Sequence, residues 1–275
     1  MSTDPFRGRV AVITGGGGGI GSALARAFAV RGARVALADV DLEAAARVAK
    51  ELEADGAEAV PFAVDVTDRA DVHRLADTVC ERFGGVHIVC NNAGVAMGGE
   101  MWSAPMQDWE YTMSVNFWGV LYGVQAFVSR ILEHGEGGHV VNTASMAGLT
   151  GMSFLGMYCA SKFAVVGLTE SLSRELRGRG IGVSVLCPMI VQTNIDRNSL
   201  ARHPDPERRK AAAAAPPNVV APPMRGGVIQ ADEVAGKVVR AIDSRELYIF
   251  THPEQREILS RRAQRIDAAF RDERV

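Results

Sequence analysis

Short apolar runs rich in β-branched residues alternate along the chain with longer stretches whose apolar residues recur at helical spacing. The short runs are continuously apolar, which is typical of strands covered on both faces in a parallel sheet. They predict seven strands, at 9–14, 34–39, 59–64, 86–91, 139–144, 183–187 and 247–251. The longer stretches predict helices near 19–31, 42–55, 69–83, 107–133, 158–177 and 231–244.

This order of elements predicts an α/β fold, a doubly wound, Rossmann-like parallel sheet of seven strands with helices on both faces. We expect a single domain over residues 1–275, because no change of composition marks a second one. In such sheets, ligands bind beyond the carboxyl ends of the strands, where the strand order reverses.

Two segments depart from the strand–helix alternation. Residues 194–228 are rich in Ala, Pro and Arg and predict a substrate lid or mobile loop containing short helical pieces, especially around 206–215. The tail, 253–275, places Leu259, Ala263, Ile266 and Phe270 on one helical face. That face would dock onto the domain or onto a partner subunit. A membrane-surface helix is the alternative, weakened by interspersed acidic residues.

Composition narrows the class of protein. A formal net charge of −2 gives no overall field for binding nucleic acid or an anionic membrane. The four cysteines lack metal-ligand spacing, so we expect reduced thiols and no metal. The chain starts without the apolar core of a secretory leader, and no apolar stretch approaches the roughly 18–20 residues that span a bilayer. We expect a cytoplasmic protein without a membrane span.

A glycine-rich loop runs from Thr14 to Gly21, between the first predicted strand and the first predicted helix. Without side chains, a backbone can turn tightly and approach a pyrophosphate, while the helix N-terminus faces the anion. The motif G-x-G-x-x-G can be laid on Gly16, Gly18 and Gly21, although five adjacent glycines make such a match easy. A flexible glycine turn is the alternative, and the flanking strand and helix favour a dinucleotide site.

Asp39 ends the second predicted strand and could accept hydrogen bonds from the adenosine ribose hydroxyls. Its charge would repel a 2′-phosphate, and no Lys or Arg lies at 15–21 or 40–46 to neutralise one. This predicts NAD rather than NADP as cofactor, with a solvated strand-end carboxylate as the alternative. Asp65, followed by Val66, either caps the next turn or hydrogen-bonds the adenine amino group.

Tyr158 and Lys162 lie one helical turn apart, so they share a helix face. A free tyrosine has a pKa of about 10. A nearby ammonium and a cationic nicotinamide would both lower that pKa and prepare the phenol for proton transfer. Ser145 follows the fifth predicted strand at the same edge of the sheet, where its hydroxyl could polarise a substrate carbonyl. Taken singly, each of these residues could be an ordinary packed or surface side chain.

With these residues in this order, the chain resembles the short-chain dehydrogenase/reductase family. The matching motifs are Thr14–Gly21, Asn91-Asn92-Ala93-Gly94, Asn116, Ser145 and Tyr158-x-x-x-Lys162. The resemblance implies a catalytic set of Asn116, Ser145, Tyr158 and Lys162. It also implies that Asn116 creates a helix irregularity with a water, extending a proton relay from Lys162. The expected cofactor contacts are Gly15, Gly17, Gly19, Ile20, Gly21, Asp39, Asp65, Val66, Asn92, Ala93, Gly94, Tyr158, Lys162, Pro188, Val191 and Thr193.

One position departs from the family pattern. After the sixth strand the family commonly has Pro-Gly followed by a Thr that meets the nicotinamide carboxamide. Here Pro188 and Thr193 are retained, but Met189 replaces the Gly. We expect Thr193 to keep its role, with Val191 beside it, and Met189 to crowd the active site or line the substrate pocket.

Methionines and other apolar residues flank the expected catalytic set. We expect Met97, Met146, Met152 and Met189 to line the substrate pocket, although several such residues could equally fill the core. They predict a hydrophobic secondary alcohol or ketone, of steroid, terpenoid or polyketide type, oxidised or reduced with NAD(H). An NAD-dependent epimerase or lyase and a non-catalytic nucleotide-sensing scaffold are the alternatives. Family habit implies a homo-oligomer, a dimer or tetramer, built on the helices at 107–133 and 158–177.

Overall fold

Seven parallel strands form one sheet in the order β3-β2-β1-β4-β5-β6-β7. The computed structural model describes residues 4–214 and 226–271. The strands are β1 (Val10–Thr14), β2 (Arg34–Asp39), β3 (Ala59–Ala63), β4 (Ile88–Asn91), β5 (Gly138–Thr143), β6 (Ile181–Cys187) and β7 (Tyr248–Phe250). The predicted Rossmann-like sheet of seven parallel strands is confirmed.

Helices cover both faces of the sheet. They are α1 (Gly19–Val30), α2 (Leu42–Ala54), α3 (Arg69–Phe83), α4 (Met106–Met113), α5 (Gly119–His134), α6 (Gly156–Glu175), α7 (Ile195–Ala201), α8 (Pro206–Ala214), α9 (Ala231–Ser244) and α10 (Arg256–Arg271). The single helix predicted at 107–133 is divided, because a π-helical turn at Ser114–Trp118 separates α4 from α5.

The continuous apolar character of the strands follows from burial on both faces. Every residue of β1 is buried. Ile13 contributes to the core under α1 and α9, whereas Val12 contributes to the core on the opposite face. Full burial of such a side chain contributes roughly 1.5–3 kcal/mol. The two cores therefore stabilise the sheet from both faces. The carboxyl edge of this sheet carries the polar residues described below.

The strand order reverses at β1, whose neighbours are β2 and β4. The chain moves outward in one direction through β2 and β3, and in the other through β4 to β7. The carboxyl ends of β1 and β4 therefore border the crevice where a ligand is expected in a doubly wound sheet.

The segment predicted as a lid contains α7 and α8. Both short helices fall where the sequence predicted helical pieces, while residues 215–225, including Met224, lie outside the described part of the chain. Asp108 of α4 anchors this segment: it is buried and accepts a hydrogen bond of 2.6 Å from Arg208. His203 Nε2 lies 3.3 Å from the other oxygen of the same carboxylate.

The tail forms α10, as its apolar periodicity predicted. Leu259 packs against the core cluster around Met146 and Cys187. Farther along, Ile266 is 45% exposed and Phe270 76% exposed, so the outer half of this face is not covered by the domain. Residues 272–275 lie outside the described part of the chain, and docking onto a partner subunit stays a prediction.

Neither a membrane-spanning helix nor a disulfide is found among the described residues. Among the described residues, no helix has both the length and the apolar character that crossing a bilayer requires. All four cysteines are free thiols, and Cys90, Cys159 and Cys187 are buried.

Within the described ranges, a cluster of potential metal ligands lies at the amino-terminal edge of the sheet, where His87, His134 and Glu136 approach one another. His87 Nδ1 accepts a hydrogen bond from the Val10 amide, and His134 Nδ1 accepts one from the Glu136 amide. His87 Nε2 faces the Glu136 carboxylate, and His134 Nε2 faces the Val86 carbonyl. Since every ring nitrogen already has a partner, this cluster ties loops together rather than offering lone pairs to a metal.

Candidate active site

The glycine loop is built around contacts that leave no room for side chains. Gly15 and Gly19 adopt positive φ angles of 66° and 53°, which favour glycine. A methyl group at Gly21 would lie 2.0 Å from the carbonyl oxygen of Gly15. Around Gly18, by contrast, a methyl group would meet nothing within 4 Å, so the open side of the loop lies there.

Thr14 and Asn92 join the ends of β1 and β4 below this loop. The Thr14 hydroxyl accepts hydrogen bonds from the amides of Asn92 and Ala93, at 2.9 and 3.1 Å. The Asn92 side-chain amide donates to the Thr14 carbonyl at 3.1 Å. These bonds fix the crevice between the two strands, and they place the predicted cofactor residues Asn92 and Ala93 beside Gly15.

Asp39 is buried at the end of β2 and faces the glycine loop. Its Oδ2 accepts a hydrogen bond from the Gly17 amide at 3.0 Å, and its Oδ1 accepts one from the Asp41 amide at 3.0 Å. A solvated strand-end carboxylate does not describe this residue, which is 6% exposed. Contact between Asp39 and an adenosine ribose stays a prediction.

Asp65 and Val66 follow β3 at the neighbouring position of the edge. Asp65 Oδ1 accepts hydrogen bonds from the Thr67 amide and hydroxyl, at 2.9 and 2.7 Å, so the turn-capping contact expected for Asp65 is formed. Val66 lies against Gly119, where an added methyl group would approach its side chain to 3.0 Å. The adenine contact stays a prediction.

Ser145 follows β5 and is 7% exposed. Its hydroxyl accepts a hydrogen bond of 3.1 Å from the Ala147 amide, and it donates a longer one, 3.3 Å, to the Pro188 carbonyl. A hydroxyl rotates readily and has one proton to donate. A substrate oxygen could therefore take the place of the weak Pro188 acceptor without disturbing the rest of the loop.

Tyr158 and Lys162 lie in the first half of α6, with Lys162 Nζ 5.7 Å from the centre of the tyrosine ring. Burial raises the pKa of Tyr158 to about 12; a hydrogen bond with Ser145 lowers it, and the charge of Asp196 raises it. Burial also lowers the pKa of Lys162 to about 8. Burial thus works against the lowering of the Tyr158 pKa expected from the sequence.

The Lys162 ammonium is held at the end of β5, where Nζ donates to the Thr143 carbonyl at 2.9 Å. A methyl group at Gly94 would lie 3.4 Å from this Nζ and 3.3 Å from Asn116 Oδ1. Because an ammonium has three N–H donors, two remain for other partners. Gly94 therefore leaves open the face of Lys162 that a ribose or a water would use.

Asn116 is fully buried within the π-helical turn between α4 and α5. Its side chain accepts a hydrogen bond from the Val95 amide at 2.8 Å and donates to the Val95 carbonyl at 2.9 Å. It also donates to the Ser161 hydroxyl at 3.0 Å. The irregularity that the family resemblance implied is present, and π-turns of this kind are frequent at functional sites.

The segment after β6 crosses the crevice from the catalytic residues toward the glycine loop. The Pro188 carbonyl accepts a hydrogen bond from the Met146 amide, and the Met189 amide donates to the Thr251 hydroxyl. Val191 forms a single bridge with Ile229. Thr193 lies against the loop, so that a methyl group at Gly19 would be 3.2 Å from its side chain. Pro188, Val191 and Thr193 thus follow one another across the site.

The four methionines predicted to line the substrate pocket have different surroundings. Met146, Met152 and Met189 belong to one apolar cluster beside the catalytic residues. Met146 is 1% exposed and Met97 is 3% exposed, so both are core side chains in this structure. Met152 and Met189 are half-buried and present the surface that a substrate could touch.

These residues fit a dinucleotide. The loop offers backbone amides where side chains are excluded, and among the described residues no side-chain cap occupies the N-terminus of α1 at Gly18. Helix N-termini of this kind bind pyrophosphate. Gly15 to Gly21 would hold the pyrophosphate, Asp39 the adenosine ribose, and Lys162 the nicotinamide ribose.

Sequence reasoning assigned no role to three residues at this edge. Thr14 acts through its hydroxyl as the staple between β1 and β4. Ser199 of α7 accepts a hydrogen bond from the Ala96 amide, and Arg202 approaches Asp39. The role of Thr14 could have been predicted, because the residue lies at the end of a strand. No local pattern marks Ser199 or Arg202, because their partners lie far away in the sequence.

Comparison with known proteins agrees with this geometry. The family model for short chain dehydrogenases matches residues 9–203. The chain is 38% identical over 252 residues to 1-deoxy-11-beta-hydroxypentalenate dehydrogenase of Streptomyces exfoliatus, covering 90% of this chain and 84% of that protein. It is 41% identical over 188 residues to D-threitol dehydrogenase of Mycolicibacterium smegmatis, covering 68% and 72%.

A solved structure shares the architecture over nearly the whole chain. It is a short-chain dehydrogenase/reductase from Burkholderia phymatum in complex with NAD, with a TM-score of 0.87 and 39% identity, covering 97% of each chain. Residues 9–203, which the family model matches, include the glycine loop, Ser145, Tyr158 and Lys162. The chain belongs to the short-chain dehydrogenase/reductase family of oxidoreductases.

Proposed function

We propose that this protein transfers hydride between NAD(H) and a hydrophobic secondary alcohol or ketone, with Tyr158 as the general acid/base. The observation that carries the proposal is the joint position of Ser145, Tyr158 and Lys162 at the carboxyl edge of β5, beside a loop that fits a dinucleotide. The complex of the Burkholderia phymatum relative with NAD supports the choice of cofactor.

Bound NAD⁺ would accept hydride from the carbinol carbon, and NADH would return it to the ketone. Tyr158 takes the hydroxyl proton during oxidation and gives it back during reduction. Ser145 turns its hydroxyl to the substrate oxygen and holds it beside the phenol. Lys162, held by the Thr143 carbonyl, places a positive charge where it favours the phenolate.

Asn116 extends this arrangement away from the substrate. Its side chain is saturated by Val95 and Ser161, which holds the π-helical turn in place. We propose that the irregular backbone of this π-helical turn binds a water in relay to Lys162, as the family resemblance implies. In this proposal Asn116 positions the proton path and does not touch the substrate.

The half-buried Met152 and Met189 favour a bulky apolar substrate, as thioethers adapt to irregular shapes. The relative named for a hydroxypentalenate supports this choice. A small polyol is the second candidate, because another relative is named for D-threitol and because Asp196 places a carboxylate within electrostatic reach of Tyr158. A carboxylate can accept a hydrogen bond from a second substrate hydroxyl.

An epimerase or lyase, and a nucleotide-sensing scaffold, remain weaker alternatives. A scaffold would not need a buried ammonium within one helical turn of a half-buried tyrosine. The expected homodimer or homotetramer stays a prediction, which the mass of the protein in solution will test.

A substrate panel tests the proposal directly. We expect NADH to form, followed at about 340 nm, when NAD⁺ is supplied with cyclic terpenoid or steroid secondary alcohols, and to form more slowly with threitol. Preference for threitol would favour the polyol. Failure of every alcohol and ketone with either nicotinamide cofactor would contradict the proposed reaction.

Substitution Asp39→Ala tests the cofactor preference. It removes the carboxylate expected to bind the ribose and to repel a 2′-phosphate, so the ratio of kcat/KM for NAD⁺ over NADP⁺ should fall by about tenfold or more. Asp68→Ala is a control, since Asp68 caps the next helix, α3, by accepting from the Ala70 amide. An unchanged ratio in Asp39→Ala would show that specificity is set elsewhere.

A further inference from the structure

The segment from Val191 to Arg202 spans the whole nucleotide crevice. It begins at the Val191–Ile229 bridge near the catalytic residues, and Thr193 then lies against Gly19. It ends at Arg202, which terminates α7 beside the adenosine side of the site. One short stretch of chain therefore contacts both ends of the predicted cofactor site.

Arg202 places its guanidinium between two carboxylates. Its Nη1 lies 3.6 Å from Asp39 Oδ1, and its Nη2 lies 3.5 Å from Asp41 Oδ2. The Asp39 carboxylate is buried, whereas the Arg202 side chain is 38% exposed. The cation is thus positioned at the carboxylate that is expected to read the ribose, with one side open to a ligand.

This contact alters the electrostatic argument for the cofactor. The sequence has no Lys or Arg at 15–21 or 40–46, so Asp39 alone would repel a 2′-phosphate. Arg202 supplies from a distant part of the chain the positive charge that these stretches lack. A guanidinium has five N–H donors, so contacts to two carboxylate oxygens leave donors for phosphate oxygens.

Anchors on both sides hold Arg202 in this position. Ser199, one helical turn before it, accepts a hydrogen bond of 2.8 Å from the Ala96 amide. His203, directly after it, is 1% exposed and lies beside the buried Asp108. A side chain on so constrained a backbone loses less conformational freedom when it binds a ligand.

We infer that Arg202 is a cofactor-reading residue that binds the 2′-phosphate of NADP(H), so that the protein accepts NADP(H) as a second cofactor beside NAD(H). The inference rests on the proposed function, because it assumes that the adenosine ribose lies at Asp39. When the 2′-phosphate is present, the guanidinium pairs with it in a charge-assisted hydrogen bond. When NAD(H) binds, the guanidinium remains with Asp39 and Asp41.

Binding of NADH and NADPH, measured by calorimetry without any substrate, tests this inference. In Arg202→Gln we expect the Kd for NADPH to rise about tenfold and the Kd for NADH to change less than about twofold. Arg202→Lys should restore much of the NADPH affinity. Raised salt should weaken NADPH binding more in the unmodified protein than in Arg202→Gln, because the lost contact is ionic.

Arg197→Gln is the matched control, since Arg197 is an exposed arginine on the same helix. Equal weakening of NADH and NADPH in Arg202→Gln would overturn the inference, because Arg202 would then only position the segment. Tighter NADH with unchanged NADPH would also overturn it and would mean that Arg202 competes with the ribose for Asp39. An unmodified protein that binds neither cofactor would instead contradict the proposed function.

Discussion

Replacement of Tyr158 by Phe should reduce turnover by about 10³-fold or more while leaving the Kd for NADH nearly unchanged. The substitution removes one hydroxyl from a side chain of otherwise equal shape, and that hydroxyl is the proton donor in the proposed reaction. The nucleotide would still be held by the glycine loop, Asp39 and Lys162, which the substitution does not touch. Steady-state kinetics and calorimetric NADH binding on the same preparation measure both quantities.

The dependence of turnover on pH adds a second readout. Alcohol oxidation needs the phenolate, so its kcat/KM should rise with pH toward the Tyr158 pKa, which burial raises to about 12. Ketone reduction needs the protonated phenol, so its rate should not rise over the same interval. A cationic nicotinamide favours the phenolate and would move the rise in oxidation to lower pH. Any turnover remaining in Tyr158→Phe should lack this pH dependence.

Tyr248→Phe is a suitable control for the Tyr158 substitution. Tyr248 lies on β7, is partly exposed and donates its hydroxyl hydrogen bond to Glu170. Its loss should leave turnover unchanged. Retained turnover in Tyr158→Phe would contradict the proposed role of the phenol, and loss of NADH binding would point to a structural effect of the substitution.

The sheet and its edge were predictable because their signals are local. A parallel strand buried on both faces must be apolar along its length, and the carboxyl ends of parallel strands meet at one edge. Once β1, β2 and β5 were placed, Gly15, Asp39 and Ser145 followed as neighbours on that edge. Helical periodicity predicted that Tyr158 and Lys162 share one helix face, and the family resemblance implied that they form a catalytic pair.

The features that the local pattern did not predict depend on contacts between distant parts of the chain. The break in the 107–133 helix, which only the family resemblance implied, lies where the Asn116 side chain hydrogen-bonds the Val95 backbone. The position of Arg202 depends on contacts on both sides of it, from Ser199 of α7 to Ala96 and from His203 to Asp108. The raised pKa of Tyr158 reflects burial, which no spacing of charges along the sequence reveals.

The surroundings of the methionines also could not be predicted from the local sequence. A methionine near a catalytic residue in the sequence can face the substrate or the core, and the two cases have the same local pattern. Met146 proved to be core and Met189 half-buried, although each directly follows a residue of the site, Ser145 or Pro188. Packing across the sheet sets the direction of each methionine side chain. For this reason the sequence predicts the class of cofactor better than the class of substrate.

Substitution Gly21→Ala should lower the free energy of unfolding by about 3 kcal/mol and abolish measurable NADH binding. The added methyl group would lie 2.0 Å from the Gly15 carbonyl oxygen and 2.9 Å from Asn92 Nδ2. Neither atom can move at low cost, because the first is a backbone carbonyl oxygen and the second belongs to a side chain that is hydrogen-bonded to Thr14. The Asn92 backbone amide is hydrogen-bonded to Thr14 as well. Relief of the clash would move the loop away from the crevice between β1 and β4.

Gly18→Ala on the same loop separates this clash from a general intolerance of alanine. Gly18 has an extended φ of −175°, and a methyl group there would meet nothing within 4 Å. Its free energy of unfolding should stay within about 0.5 kcal/mol of the unmodified protein, as measured by urea denaturation. If Gly21→Ala proves as stable as Gly18→Ala, the close packing of Gly21 on Gly15 is not what holds the loop. A stable Gly21→Ala that still binds NADH would show further that this contact does not shape the cofactor site.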